Sequence, residues 1–380
     1  MNRSASSEPG AAFPGGTGPG AAIYSYVLQL RATLSTGRGP LRYRRGLLVC
    51  LRNHDGLTGW GEAAPLPGWH GPDLETTGAA LANWLRAEVP LAEPDALATR
   101  AEATLRDVPC AWAAIAGAAA DLAARHREVP LATYLAGQLC ETGRPPLGQV
   151  PTAALIDGES PEAVAAAAAA ATAAGYRTLK MKVGSGPLAD DVARVSALRH
   201  AAPSAALRLD ANGAWGIDAP DAVGALAPFG PELVEEPCRG LGELRRLQER
   251  SDIPIACDES LPPLADLHRH LPLGVAAAVL KPSALGGPVA VLRAAAALSG
   301  AGTGVIIGSF MESAVGLTTA AHVAAAAGGP AAGLGTSTLL RNDVCEPPAV
   351  HHGALWLPAG PGLGLAPVTA GGIALLWTIG

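Results

Sequence analysis

Short β-type runs alternate with longer alanine- and leucine-rich stretches over most of the chain after residue 150. The spacing between runs, about 20 to 30 residues, leaves room for one helix after each strand and favours parallel βα units. The eight predicted strands are 150–156, 178–183, 207–211, 233–236, 253–258, 277–281, 304–308 and 333–336. Eight such units close most simply as a (β/α)₈-type barrel, although the alternation alone also permits an open doubly wound sheet.

Ionisable residues stand at the C-terminal ends of five successive predicted strands. Three are the acids Asp210, Glu235 and Asp258, and two are Lys182 and Lys281 on either side of them in sequence. In a barrel the active residues gather at the C-terminal ends of several strands, so this pattern favours the barrel over the open sheet.

The three carboxylates predict a metal site. Hard divalent cations prefer oxygen ligands, and three carboxylates suffice to hold Mg²⁺ with positions left for a substrate. A lysine beside a bound cation in a barrel mouth should have a lowered pKa and could act as acid or base. Each carboxylate alone could equally be a helix cap or turn residue, but three on consecutive strands favour function.

Strand periodicity limits which neighbours share the barrel interior. Lys180 and Lys182 lie on one face of their strand, as do Arg208 and Asp210 on theirs. Only one residue of the pair 235–236 should bind metal, and only one of 258–259.

Residues before 150 predict a separate α+β cap. Strands are expected at 24–30, 46–51 and 57–61, joined by a turn at 53–56, and helices at 74–87, 94–105 and 110–124. The predicted domains are a disordered tail at 1–22, the cap at 23–149, the catalytic barrel at 150–345, and a C-terminal segment, 346–380, that returns to the cap. Residues 353–362 are expected to provide that returning strand and loop.

Two loops are expected near the barrel mouth. The Gly- and Pro-rich segment 61–69 could close over it. Segment 308–316 could present backbone N–H groups to a substrate carboxylate, and its Ser309 and Glu312 are candidate substrate-binding residues.

Composition excludes several classes of function. A formal net charge of −6 gives no electrostatic footprint for nucleic acid or an anionic membrane. The six cysteines form no CxxC pair, which argues against zinc and disulfides and favours a reduced, cytoplasmic protein. The longest apolar tract, 163–174, is shorter than the roughly 20 residues needed to span a bilayer.

Taken in order along the chain, the motifs resemble those of the enolase superfamily, in the branch that contains muconate cycloisomerase, dipeptide epimerase and o-succinylbenzoate synthase. They are Gly-Trp-Gly-Glu at 59–62, Lys-Met-Lys at 180–182, Asp-Ala-Asn-Gly-Ala-Trp at 210–215, Glu-Glu-Pro at 235–237, Asp-Glu-Ser at 258–260 and Leu-Lys-Pro at 280–282. The resemblance covers nearly the whole chain after the tail and implies the modified (β/α)₇β form of the barrel.

Within that branch, segments 44–51, 65–69, 208–212, 235–238, 258–261 and 309–317 are similar to the o-succinylbenzoate synthases of menaquinone-making bacteria. This chain has Gly308 where those synthases usually have a serine. The implied reaction is Mg²⁺-dependent dehydration of 2-succinyl-6-hydroxy-2,4-cyclohexadiene-1-carboxylate, a small-molecule carboxylate, to o-succinylbenzoate through an enediolate. Mn²⁺ is an alternative metal.

The resemblance also implies roles for individual residues. Asp210, Glu235 and Asp258 would hold the metal ion. Lys182 would abstract the α-proton and then protonate the departing hydroxyl, Lys281 would stabilise negative charge from the opposite side, and Lys180 would support Lys182. Asn212 and Glu259 would lie behind the metal ligands, and Arg208 could orient the succinyl end.

Other functions remain open from the sequence. N-acylamino-acid racemase or dipeptide epimerase activity uses the same two lysines, although segment 281–308 lacks the aspartate motif that dipeptide epimerases often carry. Muconate cycloisomerisation is a further enzymatic alternative. A non-catalytic barrel protein would be expected to have lost at least one site residue, yet all are present. The oligomeric state is not predicted.

Overall fold

The protein was examined as a computed structural model, which describes residues 18–36, 39–66, 69, 71–88, 94–138, 146–365, 367 and 373–379. In this part of the chain, a four-stranded antiparallel sheet and a seven-stranded parallel sheet form the two main layers. None of the described helices is long and apolar enough to cross a membrane.

The antiparallel sheet has the order β14-β1-β2-β3. Its strands are β1 (Gly20–Thr36), β2 (Gly39–Arg52), β3 (Thr58–Ala63) and β14 (Ile373–Ile379). The turn between β2 and β3 forms at 53–56, as predicted, because the Asn53 side-chain oxygen accepts the backbone N–H groups of Asp55 and Leu57 at 3.0 and 2.9 Å. The predicted tail is wrong at residues 20–22, which begin β1. Ala21 and Ala22 are fully buried there and therefore belong to the sheet.

Four helices follow the first three strands: α1 (Leu74–Glu88), α2 (Pro94–Thr104), α3 (Pro109–His126) and α4 (Leu131–Gln138). Helix α3 lies directly on the backbone of β3. A Cβ atom built on Gly61 would be 2.0 Å from the Ala114 carbonyl oxygen, so only glycine permits this approach. The Gly-Trp-Gly-Glu motif thereby fixes Glu62 against the rest of the molecule.

The parallel sheet has the order β11-β10-β9-β8-β7-β6-β5. Its strands are β5 (Ala154–Ile156), β6 (Thr178–Lys182), β7 (Ala206–Asp210), β8 (Leu233–Glu235), β9 (Ile255–Cys257), β10 (Ala277–Leu280) and β11 (Gly304–Ile307). The α-helices that alternate with these strands are α5 (Pro161–Ala173), α6 (Leu188–Ala201), α7 (Ala219–Leu226), α8 (Leu241–Gln248), α9 (Pro288–Gly300) and α10 (Ala314–Ala327). Between β9 and β10 the chain instead forms a 3₁₀ helix, Leu264–His270.

The prediction of an eighth strand at 333–336 is wrong. Single parallel bridges join Gly308 to Gly333 and Thr152 to Ala332, and the next residues, Gly335–Leu339, form a 3₁₀ helix. Glycines at 333 and 335 make a longer strand unfavourable, because they lose more conformational freedom and offer no side chain to pack. The two bridges nevertheless link both edges of the sheet, as the (β/α)₇β form of the barrel requires.

A small sheet of order β12-β13-β4 lies beside the barrel. It comprises β4 (Gln149–Pro151), β12 (Val350–His351) and β13 (Ala354–Trp356). The single strand predicted at 150–156 is therefore divided between two sheets. Segment 353–357 does not return to the cap as predicted, because β13 pairs with β4, whereas β14 pairs with β1.

Candidate active site

The three predicted acids lie together at the carboxyl ends of neighbouring strands. Asp210 and Glu235 are register partners in β7 and β8, and Asp258 directly follows β9. All three are buried, with at most 6% of their surface exposed. The parallel barrel thus collects carboxylates that are 48 residues apart in sequence, as the strand-end pattern predicts.

The three lysines differ in their surroundings. Lys180 Nζ lies 2.9 Å from Asp210 Oδ2 and 2.7 Å from Glu235 Oε2. Lys281 Nζ lies 2.5 Å from Asp258 Oδ2 and 4.2 Å from the centre of the Trp69 ring. Lys182 is exposed and lines the cavity, and its ammonium group has no hydrogen-bond or ion-pair partner among the described residues. Two ammonium groups are therefore fixed by carboxylates, and one remains accessible to a ligand.

Burial and charge shift the pKa values of these groups in different directions. Burial, reinforced by the Asp210 charge, raises the pKa of Glu235 to about 7. Burial would also raise the pKa of Asp210, but contact with Lys180 outweighs burial and lowers it. The pKa of Asp258 is raised by burial despite the opposing charge of Lys281.

The pKa values of Lys180 and Lys281 are raised in this arrangement, and the lowered pKa expected for a lysine beside a bound cation stays a prediction. Burial alone would lower the pKa of Lys180, but the charges of Asp210 and Glu235 outweigh burial and raise it. In the same way, the charges of Asp258 and Glu235 raise the pKa of Lys281 above its ordinary value. Each ammonium is stabilised by the acids it contacts.

These groups line a cavity of about 230 Å³ in the barrel mouth. Leu66 and Trp69 of the predicted closing loop form part of its wall, while residues 67 and 68 lie outside the described chain. The Trp69 ring packs edge-on against Phe310, with ring centres 5.1 Å apart. The cavity is thus polar at the strand ends and apolar on the side of the cap.

Lysine occurs nowhere else in the sequence. Of the 27 Lys and Arg residues, only Lys180, Lys182 and Lys281 are lysine, and all three line this one cavity. An arginine side chain keeps its proton at any physiological pH, whereas a lysine can lose it. All the other Lys and Arg positions of the chain are arginine, so the Lys and Arg residues that can transfer a proton are confined to this cavity.

The donor set fits a hard divalent cation. Three carboxylates converge, and Glu235 Oε1 is a buried acceptor without a hydrogen-bond partner. As the side chains lie, however, no group of three or more His, Cys, Asp or Glu residues in the described part of the chain is arranged to hold a metal ion. Lys180 and Lys281 contact one oxygen of each of these acids, namely Asp210 Oδ2, Glu235 Oε2 and Asp258 Oδ2.

The acids adjacent to the predicted metal ligands support the site. Glu236 has no exposed surface and accepts hydrogen bonds from the backbone of Asp258 at 2.9 Å and from Ser260. Asn212 Nδ2 donates to Glu259 Oε1 at 3.1 Å, and both residues line the cavity. Only Glu235 of the 235–236 pair lines the cavity, whereas Asp258 and Glu259 both do.

The three predicted substrate-binding residues differ from one another in their contacts and in whether they line the cavity. Arg208 lines the cavity, but its guanidinium already donates to Glu232 at 2.8 Å and to the Ala331 carbonyl at 2.6 Å. Ser309 also lines it, with its hydroxyl 2.9 Å from Glu312 and 2.6 Å from the Thr336 hydroxyl. Glu312 does not line the cavity. It is 2% exposed and accepts hydrogen bonds from Ser309, Ser283 and the Phe310 backbone.

The prediction that segment 308–316 offers free N–H groups to a carboxylate is wrong for its first part. The N–H groups of Gly308 and Ser309 donate to the Leu280 and Gly333 carbonyls, and that of Met311 donates to the Ser309 hydroxyl. These bonds hold the loop in place at the cavity wall, and the three N–H groups are therefore not free for a carboxylate.

Two buried charges in the cap hold this loop, and sequence reasoning missed their role. Arg44 donates to the Ala64 and Pro65 carbonyls of the cap and to the Phe310 and Met311 carbonyls of the barrel, at 2.6 to 3.2 Å. The signal was available, because Arg44 is a charge within β2, shortly before the apolar run 47–51.

Glu62 forms the second link between cap and barrel. Its carboxylate accepts the backbone N–H groups of Ser313 and Gly316 at 2.8 Å, together with the hydroxyls of Ser313 and Tyr26. It thereby satisfies N–H groups at the start of α10 that have no partner within the helix. A lone acid at the end of the apolar strand β3 was its signal.

The fold is that of enolase-type barrel enzymes. The family described as "Enolase C-terminal domain-like" matches residues 162–370, and the chain belongs to this family. The family described as "MenC, N-terminal domain" matches residues 20–99, within the cap.

Curated relatives include two mycobacterial proteins named o-succinylbenzoate synthase. The chain is 43% identical to the one from Mycobacterium tuberculosis (strain ATCC 25618 / H37Rv) over 195 residues, which cover 48% of this chain and 56% of the relative. It is 40% identical to the one from Mycobacterium marinum over 225 residues, or 56% and 66% of the two chains. The matches thus span between about half and two thirds of these relatives.

Solved structures extend the similarity over nearly the whole fold. The dipeptide epimerase from Enterococcus faecalis V583, complexed with Mg and the dipeptide L-Leu-L-Tyr, has a TM-score of 0.80 and 28% identity. The superposition covers 91% of this chain and 98% of that one.

Proposed function

We propose that the protein is an o-succinylbenzoate synthase, a dehydratase that converts 2-succinyl-6-hydroxy-2,4-cyclohexadiene-1-carboxylate to o-succinylbenzoate in menaquinone biosynthesis. The observation that carries the proposal is the confinement of all three lysines of the chain to one cavity beside three buried strand-end acids. The similarity to the two mycobacterial synthases and to the MenC N-terminal domain supports this substrate.

Asp210, Glu235 and Asp258 are the residues that would hold Mg²⁺, or Mn²⁺ in its place. When bound, the ion would supply positive charge for the substrate carboxylate and for the electron density left when the α-proton departs. The orphaned oxygen of Glu235 supports this assignment, as does the Mg in the related epimerase structure.

Lys182 is the proposed base because it is accessible from the cavity and unpaired among the described residues. Its neutral amine takes the proton from the α-carbon, and the electrons of that C–H bond enter the ring system. The ammonium then returns the proton to the departing hydroxyl as the C–O bond breaks, which releases water. One residue thus serves both steps on one face of the ring, which becomes aromatic.

Lys281 is the proposed fixed cation. Its contact with Asp258 and the overlying Trp69 ring hold the ammonium at the other side of the site, where it stabilises negative charge without moving a proton. Lys180 would support the site by its contacts with Asp210 and Glu235. Ser309 and Arg208 would contribute to substrate positioning from the cavity wall.

Arginine substitutions separate the two lysine roles. Lys182→Arg keeps the charge but cannot accept a proton, so it should lose about 10²- to 10⁴-fold in kcat, like Lys182→Ala. Lys281→Arg keeps a fixed cation and should retain more activity than Lys281→Ala. Dehydration is followed by the absorbance change on aromatisation, with folding checked by circular dichroism. Wild-type turnover in Lys182→Arg, or equal losses in Lys281→Arg and Lys281→Ala, would contradict these roles.

We further propose a cytoplasmic location and the division into a cap that begins with β1 at residue 20 and ends at 149, a catalytic barrel at 150–345 and a C-terminal segment at 346–380. The pairing of β14 with β1 supports the return of the C-terminal segment to the cap. Limited proteolysis followed by mass spectrometry tests the boundaries, because cleavage should concentrate between the proposed units rather than within them.

A further inference from the structure

A second cavity lies on the other side of Lys281, between the barrel and the cap. Its volume is about 610 Å³, larger than that of the catalytic cavity and within the range of about 300 to 1,000 Å³ found for small-molecule sites. The two cavities share four wall residues, Trp69, Asp258, Val279 and Lys281. We call this second cavity the side chamber.

The side chamber exists because one barrel unit lacks its α-helix. The chain between β9 and β10 forms only the seven-residue 3₁₀ helix Leu264–His270, preceded by Pro262 and Pro263. Two successive prolines remove backbone donors and oppose an α-helix at this point. On the opposite wall, α9 presents alanines, and these short side chains leave the space between the two elements open.

The interior of the side chamber is apolar. Leu261, Leu267, Trp112 and Ala294 line it, and each has at most 9% of its surface exposed. The ion pair between Lys281 and Asp258 lies at the wall shared with the catalytic cavity and carries no net charge. Binding of an occupant would therefore be stabilised mainly by the transfer of its apolar surface out of water. The rings of Trp69 and Trp112 are available for contact with a ring system.

The rim of the side chamber is polar but electrically balanced. Arg106 and Arg293 face Glu102 and Asp107, and Arg293 Nη1 lies 3.0 Å from Glu102 Oε2 across the gap between α9 and the cap. Besides the exposed His268, the lining has two positive and two negative groups outside the Lys281–Asp258 pair, and this balance does not select an anion or a cation.

We propose that the side chamber is a binding site for an uncharged, predominantly apolar organic molecule, separate from the catalytic cavity and in contact with Trp69 and Lys281. The occupant places its apolar body between the 3₁₀ helix and α9 and any hydrogen-bonding end at the charged rim. Because the two cavities share a wall, an occupant of the side chamber contacts Lys281, which also lines the catalytic cavity.

The test is a fluorescence titration with the neutral probe N-phenyl-1-naphthylamine, which brightens in an apolar site. Ala294→Leu fills the side chamber from α9, and Ala296→Leu is the matched control, since Ala296 is exposed and lies outside the side chamber. The wild type and Ala296→Leu should each bind one probe with the same affinity. Ala294→Leu should bind at least tenfold more weakly.

A second filled variant and a charged probe complete the titration. If Ala294→Leu does not fold, Ala290→Leu, also on the chamber wall, should show the same loss. The sulfonated analogue 1-anilinonaphthalene-8-sulfonate should bind no more tightly than the neutral probe. Absence of saturable binding, equal affinity in the filled variant, or competition by o-succinylbenzoate without sensitivity to Ala294→Leu would overturn the proposal. The titration needs no substrate, so its failure leaves the proposed reaction untouched.

Discussion

Replacing Arg44 should loosen the loops on both sides of the catalytic cavity. Its side chain is 1% exposed and donates to four carbonyl oxygens, two in the cap and two in the barrel loop 310–311. Arg44→Ala leaves these four acceptors without their donor. Each buried unsatisfied group costs about 1–3 kcal/mol, and water entering the space recovers part of that sum. We therefore expect the free energy of unfolding to fall by about 4 kcal/mol.

The matched control is Arg45→Ala, because Arg45 is the exposed neighbour on the same strand. Arg45→Ala should lower the free energy of unfolding by less than about 0.5 kcal/mol, as most surface substitutions do. Arg44→Lys keeps the charge but lacks the planar fork, so it should fall between the two. Urea unfolding at constant pH measures all three variants. A loss below about 1 kcal/mol for Arg44→Ala would show that the carbonyls find other donors and would refute the reasoning.

Three further predictions concern metal binding, pH and packing. Mg²⁺ at 100 times its Kd should stabilise the wild type by about 2.7 kcal/mol in thermal unfolding. Glu235→Gln should abolish this stabilisation, whereas the control Glu232→Gln should retain it. Unchanged stabilisation of Glu235→Gln by Mg²⁺ would contradict the metal assignment. Burial raises the pKa of Asp343 from 3.8 to about 6, so between these values the folded chain holds a proton that the unfolded chain has lost. Stability should therefore fall by about 3 kcal/mol as the pH rises through this window, and urea unfolding of Asp343→Asn should lack that slope. Gly61→Ala places a Cβ atom 2.0 Å from a backbone oxygen of α3 and should cost about 3 kcal/mol in urea unfolding, whereas Gly242→Ala, with open space around it, should be neutral or stabilising.

The barrel and the gathering of Asp210, Glu235 and Asp258 could be predicted because both follow from local pattern. Parallel βα units place successive strand ends at one edge, so residues far apart in sequence must meet there. Period-2 alternation likewise placed Arg208 in the interior. Strand periodicity could not reveal that the Arg208 guanidinium donates a hydrogen bond to Glu232, which lies before β8.

Features that depend on contacts between distant segments escaped prediction. The pairing of β14 with β1 joins the two ends of the described chain, and no local pattern specifies that register. The lysine pKa values depend on which carboxylates the ammonium groups reach, which strand periodicity does not determine. The side chamber arises where Pro262 and Pro263 precede a 3₁₀ helix, and its volume depends on how the cap packs against α9.

The most direct measurement of the central claim compares two reactions on one preparation of the wild-type protein. Aromatisation of 2-succinyl-6-hydroxy-2,4-cyclohexadiene-1-carboxylate is followed by absorbance, with Mg²⁺ and with the metal removed by chelation, beside racemisation of an N-succinyl amino acid followed by polarimetry. We predict fast aromatisation that disappears without Mg²⁺ and returns when the ion is restored, with racemisation slower. Fast racemisation with little aromatisation would contradict the proposed substrate, and aromatisation indifferent to chelation would contradict the role of the three acids.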